Sequence, residues 1–183
     1  MFITIFNKKG SPIHGYGLYA CADIKQGEVI WSFEANEKEL YWYHKDEIET
    51  WDDDVKNDFY PKAYVVGDGW YSGVPKHKNI PTDQSEYMNH SCEPNCWFEG
   101  DEKMTAVRDI AIGEEIYYDY ATSEVLGDSA HVPLKCLCGK PTCRGIISGT
   151  EYKDTTFQQK YKVCPRFLYF FTVHRVISQI IFL

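Results

Sequence analysis

The sequence predicts a mainly β fold with short helices, and three observations favour it. Aromatic residues make up 16% of the 183 residues, and such side chains are enriched in strands. Aromatic and β-branched runs, such as EVIWSF at residues 28–33, are bounded by glycine-containing turns. The segment DIKQGEVI (residues 23–30) returns as DIAIGEEI (residues 109–116), which indicates two equivalent corners of one β-rich fold.

The predicted elements follow in chain order. FITIF (residues 2–6) and EVIWSF predict strands, and the charged segment at residues 35–59 predicts a pair of solvated helices. KAYVVGDGWYSG (residues 62–73) predicts a hairpin, and EEIYYDYA (residues 114–121) a strand. Residues 167–183 predict an amphipathic helix covering the core, because their apolar residues recur at helical spacing. A membrane anchor is the less favoured alternative, since this stretch is short and polar residues interrupt it.

Composition limits the classes of partner. The formal net charge is −8, which disfavours direct nucleic-acid binding and favours a basic peptide. The pattern of a signal peptide is absent from the first residues, so we expect an intracellular protein without a membrane partner. Seven cysteines, an odd number, favour reduced thiols or metal ligands over disulfides.

The segment GYGLYA at residues 15–20 matches the glycine pattern of dinucleotide-binding loops. That interpretation requires a helix to begin at the end of the pattern. Gly27 would interrupt such a helix, and a predicted strand follows it. We therefore reject a nicotinamide site, although Gly15 and Gly17 still permit a close backbone approach to another ligand.

CLCGKPTCRG contains three cysteines in the pattern C-x-C-x4-C, namely Cys136, Cys138 and Cys143. Three close thiols in a loop with glycine and proline favour a zinc site over free buried thiols. A structural zinc ion usually has four ligands. The candidates for the fourth are Cys92, Cys96, Cys21, Cys164 and His131.

The order of the motifs is more specific than any one of them. GYGLYA, NHSCEPNC, GEEIYYDY and CLCGKPTCRG, over about residues 14–145, resemble the SET-domain protein lysine methyltransferases with a post-SET zinc loop. The resemblance implies a β-clip-like fold of small curved sheets with a knot-like active site. It implies a SET domain at residues 1–122 with a helical insert at about 35–60, a post-SET loop at 131–147 and a C-terminal helical extension at 148–183.

The resemblance also implies roles for single residues. S-adenosylmethionine would contact Gly15, Tyr16, Gly17, Asn89, His90 and Tyr120. Tyr120 matches the catalytic tyrosine, Tyr118 the position that helps to set the number of methyl groups, and Tyr64 an aromatic residue of the lysine channel. Structural zinc would be bound by Cys92, Cys136, Cys138 and Cys143. The chain has Tyr16 where the family often has tryptophan, and Glu86 where it often has arginine.

The implied function is methyl transfer from S-adenosylmethionine to a protein lysine, mainly as monomethylation. A histone tail is the leading substrate, which would place the protein in the nucleus. The alternatives are a non-histone substrate and a catalytically weak SET-fold module that binds peptides. A β-core protein without activity would leave the order of the motifs unexplained.

Overall fold

The computed structural model describes residues 6–32, 42–67, 69–78, 84–99, 103–124 and 132–161. These residues form short strands, which are β1 (Phe6–Gly10), β2 (Tyr16–Ala20), β3 (Val29–Ser32), β4 (Trp42–His44), β5 (Tyr64–Gly67), β6 (Trp70–Ser72), β7 (Asn89–His90), β8 (Cys96–Glu99), β9 (Lys103–Ala106), β10 (Glu115–Tyr118), β11 (Leu134–Lys135) and β12 (Ile146–Ile147). The α-helices are α1 (Lys45–Ile48), α2 (Asp53–Phe59) and α3 (Thr155–Tyr161). The predicted mainly β class with short helices is confirmed.

The strands form small sheets. One sheet has the order β1-β2-β10-β7, in which β7 runs parallel to β10 and the other pairs are antiparallel. Two three-stranded antiparallel sheets have the orders β3-β9-β8 and β4-β6-β5, and β11 pairs with β12. The parallel pair β7–β10 therefore brings two distant motifs, NHSC and GEEIYYDY, side by side.

The two repeated turns are indeed equivalent corners, and they pair with each other. Ile24 and Ile110 form an antiparallel bridge with both backbone hydrogen bonds at 2.9 Å. The Asp109 carboxylate accepts from the backbone N–H of Gln26, and Asp23 accepts from that of Ile112. The turn glycines have nearly the same positive φ, 85° at Gly27 and 82° at Gly113. The repeat thus marks a local pseudo-twofold arrangement.

Buried apolar side chains form separate clusters. The largest includes side chains of β2, β3, β10 and both corners, among them Leu18, Ile24, Ile30, Ile110 and Ile116. A second cluster joins the cysteine-rich loop to α3. A third lies between the insert and strand β6 and includes Tyr43, Ile48, Phe59 and Tyr71. The second cluster ties the C-terminal segment to the motifs.

The helical prediction for the insert was partly wrong. Helices α1 and α2 lie inside the predicted segment, but Trp42–His44 is strand β4, which pairs with β6. The hairpin prediction is confirmed by β5 and β6. The helix predicted at residues 167–183 lies outside the described residues, as do residues 2–5 of the first predicted strand. Within the part of the chain that the structure describes, none of the helices has the length and apolarity to cross a membrane.

Candidate active site and metal centre

The segment predicted as the cofactor loop, GYGLYA at residues 15–20, begins at the end of a closed loop, residues 11–15, and continues as strand β2. Ser11 N–H donates to the carbonyl of Gly15 at 2.9 Å, and strand β2 begins at the next residue. Gly17 lies directly against the Glu115 carboxylate, because a Cβ added to it would come within 2.1 Å of Glu115 Oε1. Real Cβ contacts are essentially never this short, so a side chain at this position would displace the Glu115 carboxylate.

Asn89 joins this loop to the parallel strand pair. Its buried Nδ2 donates to the carbonyls of Tyr16 at 2.9 Å and His14 at 3.3 Å, and to Glu115 Oε1 at 2.8 Å. Asn89 pairs in register with Tyr117 of β10. One side chain therefore fixes the loop backbone relative to the strand that leads to the tyrosine motif.

Glu115 is a buried carboxylate at the centre of this arrangement. It accepts hydrogen bonds from Ser11 Oγ at 2.8 Å, Tyr19 OH at 3.2 Å and Asn89 Nδ2. A buried carboxylate is stable only where such donors surround it. Glu115 thus holds the start of the loop, strand β2 and strand β7 together.

Tyr118 and Tyr120 lie together, with ring centroids 5.0 Å apart. Strand β10 is buried along its whole length, and Phe98 of β8 packs edge-on against Tyr118 at 5.8 Å. The Tyr118 hydroxyl is 3.3 Å from Ser123 Oγ. The Tyr120 hydroxyl donates to the carbonyl of Met88 at 2.7 Å. The two phenols are therefore held by separate partners.

His90 links the tyrosine motif to the cysteines. Its Nδ1 accepts from the backbone N–H of Tyr120 at 3.1 Å. Burial lowers the pKa of His90 to about 4 despite the opposing effect of Asp119, so the ring is neutral at pH 7. Because Nδ1 is the acceptor, Nε2 carries the hydrogen and donates to Cys92 Sγ at 3.4 Å.

The four predicted zinc ligands converge into one group, which we call the cysteine cluster: Cys92, Cys136, Cys138 and Cys143. Their sulfur atoms all lie within 4.8 Å of one another, and Cys92 and Cys136 are 3.7 Å apart. A tetrahedral zinc ion with sulfur ligands at about 2.3 Å requires sulfur separations of about 3.8 Å.

The surroundings of the cysteine cluster also fit a zinc ion. Backbone N–H groups of Arg144 and Gly145 donate to Cys92 Sγ and Cys143 Sγ, each at 3.4 Å. Such donors support metal-bound thiolates. Burial raises the pKa of the Cys92 thiol, so a cation would be needed to hold it as a thiolate. The residues present fit structural zinc.

The structure describes the side chain of one further predicted site residue, Tyr16, but not that of another, Tyr64. Tyr16 is 58% exposed and packs edge-on against Tyr87, and Lys8 Nζ lies 3.7 Å from the Tyr87 ring centroid and 4.6 Å from that of Tyr16. A cation thus covers the two rings beside the loop. Tyr64 is the first residue of β5, and its side chain lies outside the described part.

Sequence reasoning assigned no role to Glu115, Asp119 or Arg144. The structure buries both carboxylates, at 7% and 1% exposure, and the Asp119 carboxylate pairs with Arg144 Nη2 at 2.5 Å. An available signal was the presence of acids inside an otherwise apolar and aromatic strand, where a carboxylate needs a partner.

Comparison with known proteins agrees with the geometry. Residues 15–121 match the SET domain family, which is more than half of the 183 residues. A putative histone-lysine N-methyltransferase 1 of Plasmodium falciparum is 34% identical over 148 residues, covering 76% of this chain and 2% of that protein. An H3 lysine-4 specific histone-lysine N-methyltransferase of Chaetomium globosum is 29% identical over 149 residues, covering 75% of this chain and 13% of that protein. The chain thus spans a small part of the length of these relatives.

Among solved structures, a humanized mutant of the Chaetomium thermophilum Polycomb Repressive Complex 2 is similar. It aligns with a TM-score of 0.45 and 21% identity, covering 66% of this chain and 15% of that chain. The family match includes GYGLYA, the NHSC motif, Tyr118 and Tyr120. The chain belongs to the SET-domain family.

Proposed function

We propose that the protein transfers a methyl group from S-adenosylmethionine to the side chain of a protein lysine. One observation carries this proposal: Asn89 links the cofactor loop to the strand pair that bears Tyr118 and Tyr120. The residues proposed to hold the donor are Gly15, Tyr16, Gly17, Asn89, His90 and Tyr120. When bound, S-adenosylmethionine supplies a methyl group activated by its sulfonium charge.

The chain's own task is to present an uncharged amine. A free lysine has a pKa of about 10.4, so nearly all of it is charged at neutral pH. The aromatic pair Tyr118–Tyr120 can exclude water from the amine, and desolvation favours its neutral form. Phenol oxygens can orient the remaining N–H bonds. Alignment of the amine then removes part of the entropic barrier.

We expect the rate of the transfer step to rise from about pH 7 to about pH 9, because the amine must lose its proton before it attacks. Burial raises the pKa of Tyr120, and the charges of Glu124 and Glu115 add to this effect. The phenol therefore stays protonated in this range and contributes no falling limb. Single-turnover rates across the pH series measure the effect, and a flat profile would contradict it.

Product multiplicity is proposed to depend on Tyr118, with monomethylation as the main outcome. A hydroxyl at this position accepts an N–H bond, directly or through water, and occupies the space that a methyl group would need. The Ser123 hydroxyl, 3.3 Å away, can hold the Tyr118 hydroxyl in place. Phenylalanine would remove the acceptor and free the space.

We expect Tyr118→Phe to increase the ratio of dimethyl- to monomethyl-lysine by up to about tenfold, the equivalent of one hydrogen bond. The measurement is a mass-spectrometric time course on an unmethylated peptide. An unchanged ratio, or ready trimethylation by the wild type, would show that Tyr118 is not the switch. A lowered melting temperature with an unchanged ratio would assign Tyr118 a packing role only.

A basic protein segment, with a histone tail first, is the proposed substrate. The net charge of −8 supports it, as do the two relatives, whose names describe histone-lysine methyltransferases. The compartment follows the substrate: the nucleus for a histone, the cytoplasm for a non-histone protein.

The test is incubation with labelled S-adenosylmethionine, core histones and cell lysate, followed by identification of the labelled lysine. Label on histones supports the histone substrate, and label only on another protein supports the non-histone alternative. A cofactor titration is run in parallel. Binding without transfer to any protein would indicate a peptide-binding module without turnover.

A further inference from the structure

Asp119 stands between Tyr118 and Tyr120 in the sequence. Its carboxylate is bound mainly by more distant parts of the chain. It is 1% exposed and accepts from Arg144 Nη2 at 2.5 Å, from the hydroxyl of Tyr161 and from the backbone N–H of Ala121 at 3.1 Å. Bonds between a buried carboxylate and an arginine are among the stronger hydrogen bonds in proteins. The position of this carboxylate is therefore determined by its donors.

The two side-chain donors come from segments beyond the SET match at residues 15–121. Arg144 follows the last member of the cysteine cluster, and Tyr161 is the last residue of α3. Asp119 in turn caps the 3₁₀ turn Tyr120–Thr122. A contact from α3 is thus transmitted through one carboxylate to the backbone N–H of Ala121, in the turn that begins at Tyr120.

The Tyr161 hydroxyl is held in a fixed position by packing. The residue is buried, and its ring centroid lies 4.7 Å from that of Phe157 and 6.0 Å from that of Trp97. The neighbouring Lys160 donates to the carbonyl of Cys92 at 2.9 Å, which fixes the end of α3 against the NHSC motif. These contacts therefore fix the position from which the Tyr161 hydroxyl donates to Asp119.

We propose that Tyr161 is a positioning residue for methyl transfer, which acts through Asp119 on the conformation of the turn Tyr120–Thr122. The inference rests on the proposed function and extends it to α3. Loss of the Tyr161 hydroxyl leaves Asp119 with one side-chain donor and loosens the turn on which Tyr120 lies. The effect should appear in the transfer step, because Tyr161 has no predicted contact with substrate or cofactor.

The test compares Tyr161→Phe with Tyr60→Phe. Tyr60 is a matched control, because its hydroxyl donates to the Glu49 carboxylate at 2.8 Å within the insert. We expect Tyr161→Phe to lower kcat about tenfold with KM for peptide and cofactor nearly unchanged, as loss of one charge-assisted hydrogen bond predicts. Amide hydrogen exchange of residues 119–124 should accelerate in Tyr161→Phe and stay unchanged in Tyr60→Phe. Arg144→Lys weakens the other side-chain hydrogen bond to the Asp119 carboxylate. It should also lower kcat and accelerate exchange of residues 119–124.

Each result decides the proposal. A lowered melting temperature with unchanged kcat, or unchanged exchange in residues 119–124, would overturn it. Equal losses of kcat in Tyr161→Phe and Tyr60→Phe would also overturn it, because a general loss of stability would then explain both. A wild-type protein without turnover would reject the proposed function, and the exchange data would still decide whether Tyr161 fixes the turn.

Discussion

Replacement of Tyr120 by phenylalanine is expected to lower the rate of methyl transfer about 10²-fold while the protein stays folded. The Tyr120 ring centroid lies 5.0 Å from that of Tyr118 and 5.4 Å from that of His90. Phenylalanine retains both contacts. It removes only the hydroxyl, which donates to the carbonyl of Met88 at 2.7 Å.

The direction of that hydrogen bond explains the size of the effect. Because the phenol proton is donated to Met88, the Tyr120 oxygen acts toward a substrate amine as an acceptor. An acceptor that holds an N–H bond also directs the nitrogen lone pair. Without it the amine samples unproductive orientations, and misalignment of this kind lowers rates by about 10²-fold.

Single-turnover kinetics with saturating cofactor measure this loss, with cofactor titration and thermal unfolding as parallel readouts. Tyr60→Phe is the control, since its hydroxyl bonds Glu49 in the insert and it should retain the wild-type rate. A Tyr120→Phe variant with an unchanged rate would remove Tyr120 from the reaction centre. A loss explained by weaker cofactor binding alone would make it a binding residue.

Local sequence signals predicted much of the fold. Within the run EVIWSF, Val29–Ser32 form β3. Gly67 and Gly69 lie in the β5–β6 hairpin, and the repeated turns pair as corners. In each case residue type and turn chemistry agree with the tertiary contacts. Trp42–His44 shows where such signals fail. It lies in a charged segment of helical appearance, but its pairing with β6 determines its conformation.

The candidate site likewise combines features that local sequence predicts with features that depend on tertiary contacts. Spacing alone grouped Cys136, Cys138 and Cys143 and left five candidates for the fourth ligand. The family resemblance selected Cys92, which lies in a different motif. The acid Asp119 in an aromatic segment indicates a need for partners, but the partners themselves could not be assigned from sequence, because Arg144 and Tyr161 are 25 and 42 positions away. Contacts of this separation depend on the tertiary fold rather than on local pattern.

Replacement of Cys92 by serine is expected to remove zinc from the protein and to unfold the loop at residues 136–145. The wild type should hold one zinc ion per chain, bound by the cysteine cluster. Serine is a poor substitute for a thiolate ligand. Removal of outer partners alone lowers metal affinity about 10- to 100-fold, so loss of a direct ligand should lower it by more than about 10²-fold.

The loss should extend beyond the metal, because Cys92 also connects the loop through His90 to the backbone of Tyr120. Its sulfur accepts from His90 Nε2 and from the backbone N–H of Arg144, both at 3.4 Å. When the loop unfolds, Arg144 leaves the Asp119 carboxylate, and a buried carboxylate that loses its partner is strongly destabilising. We therefore expect Cys92→Ser to lower activity and thermal stability together.

Cys96→Ser is the matched control for this variant. Cys96 is equally buried but donates to the carbonyl of Tyr117 at 3.4 Å, outside the cysteine cluster, and a serine hydroxyl can retain that bond. Elemental analysis after dialysis against a chelator should find full zinc in Cys96→Ser and little in Cys92→Ser. Full zinc in Cys92→Ser would reject this ligand set. Zinc loss in both variants would indicate that the metal depends on the core of the domain rather than on Cys92 as a ligand.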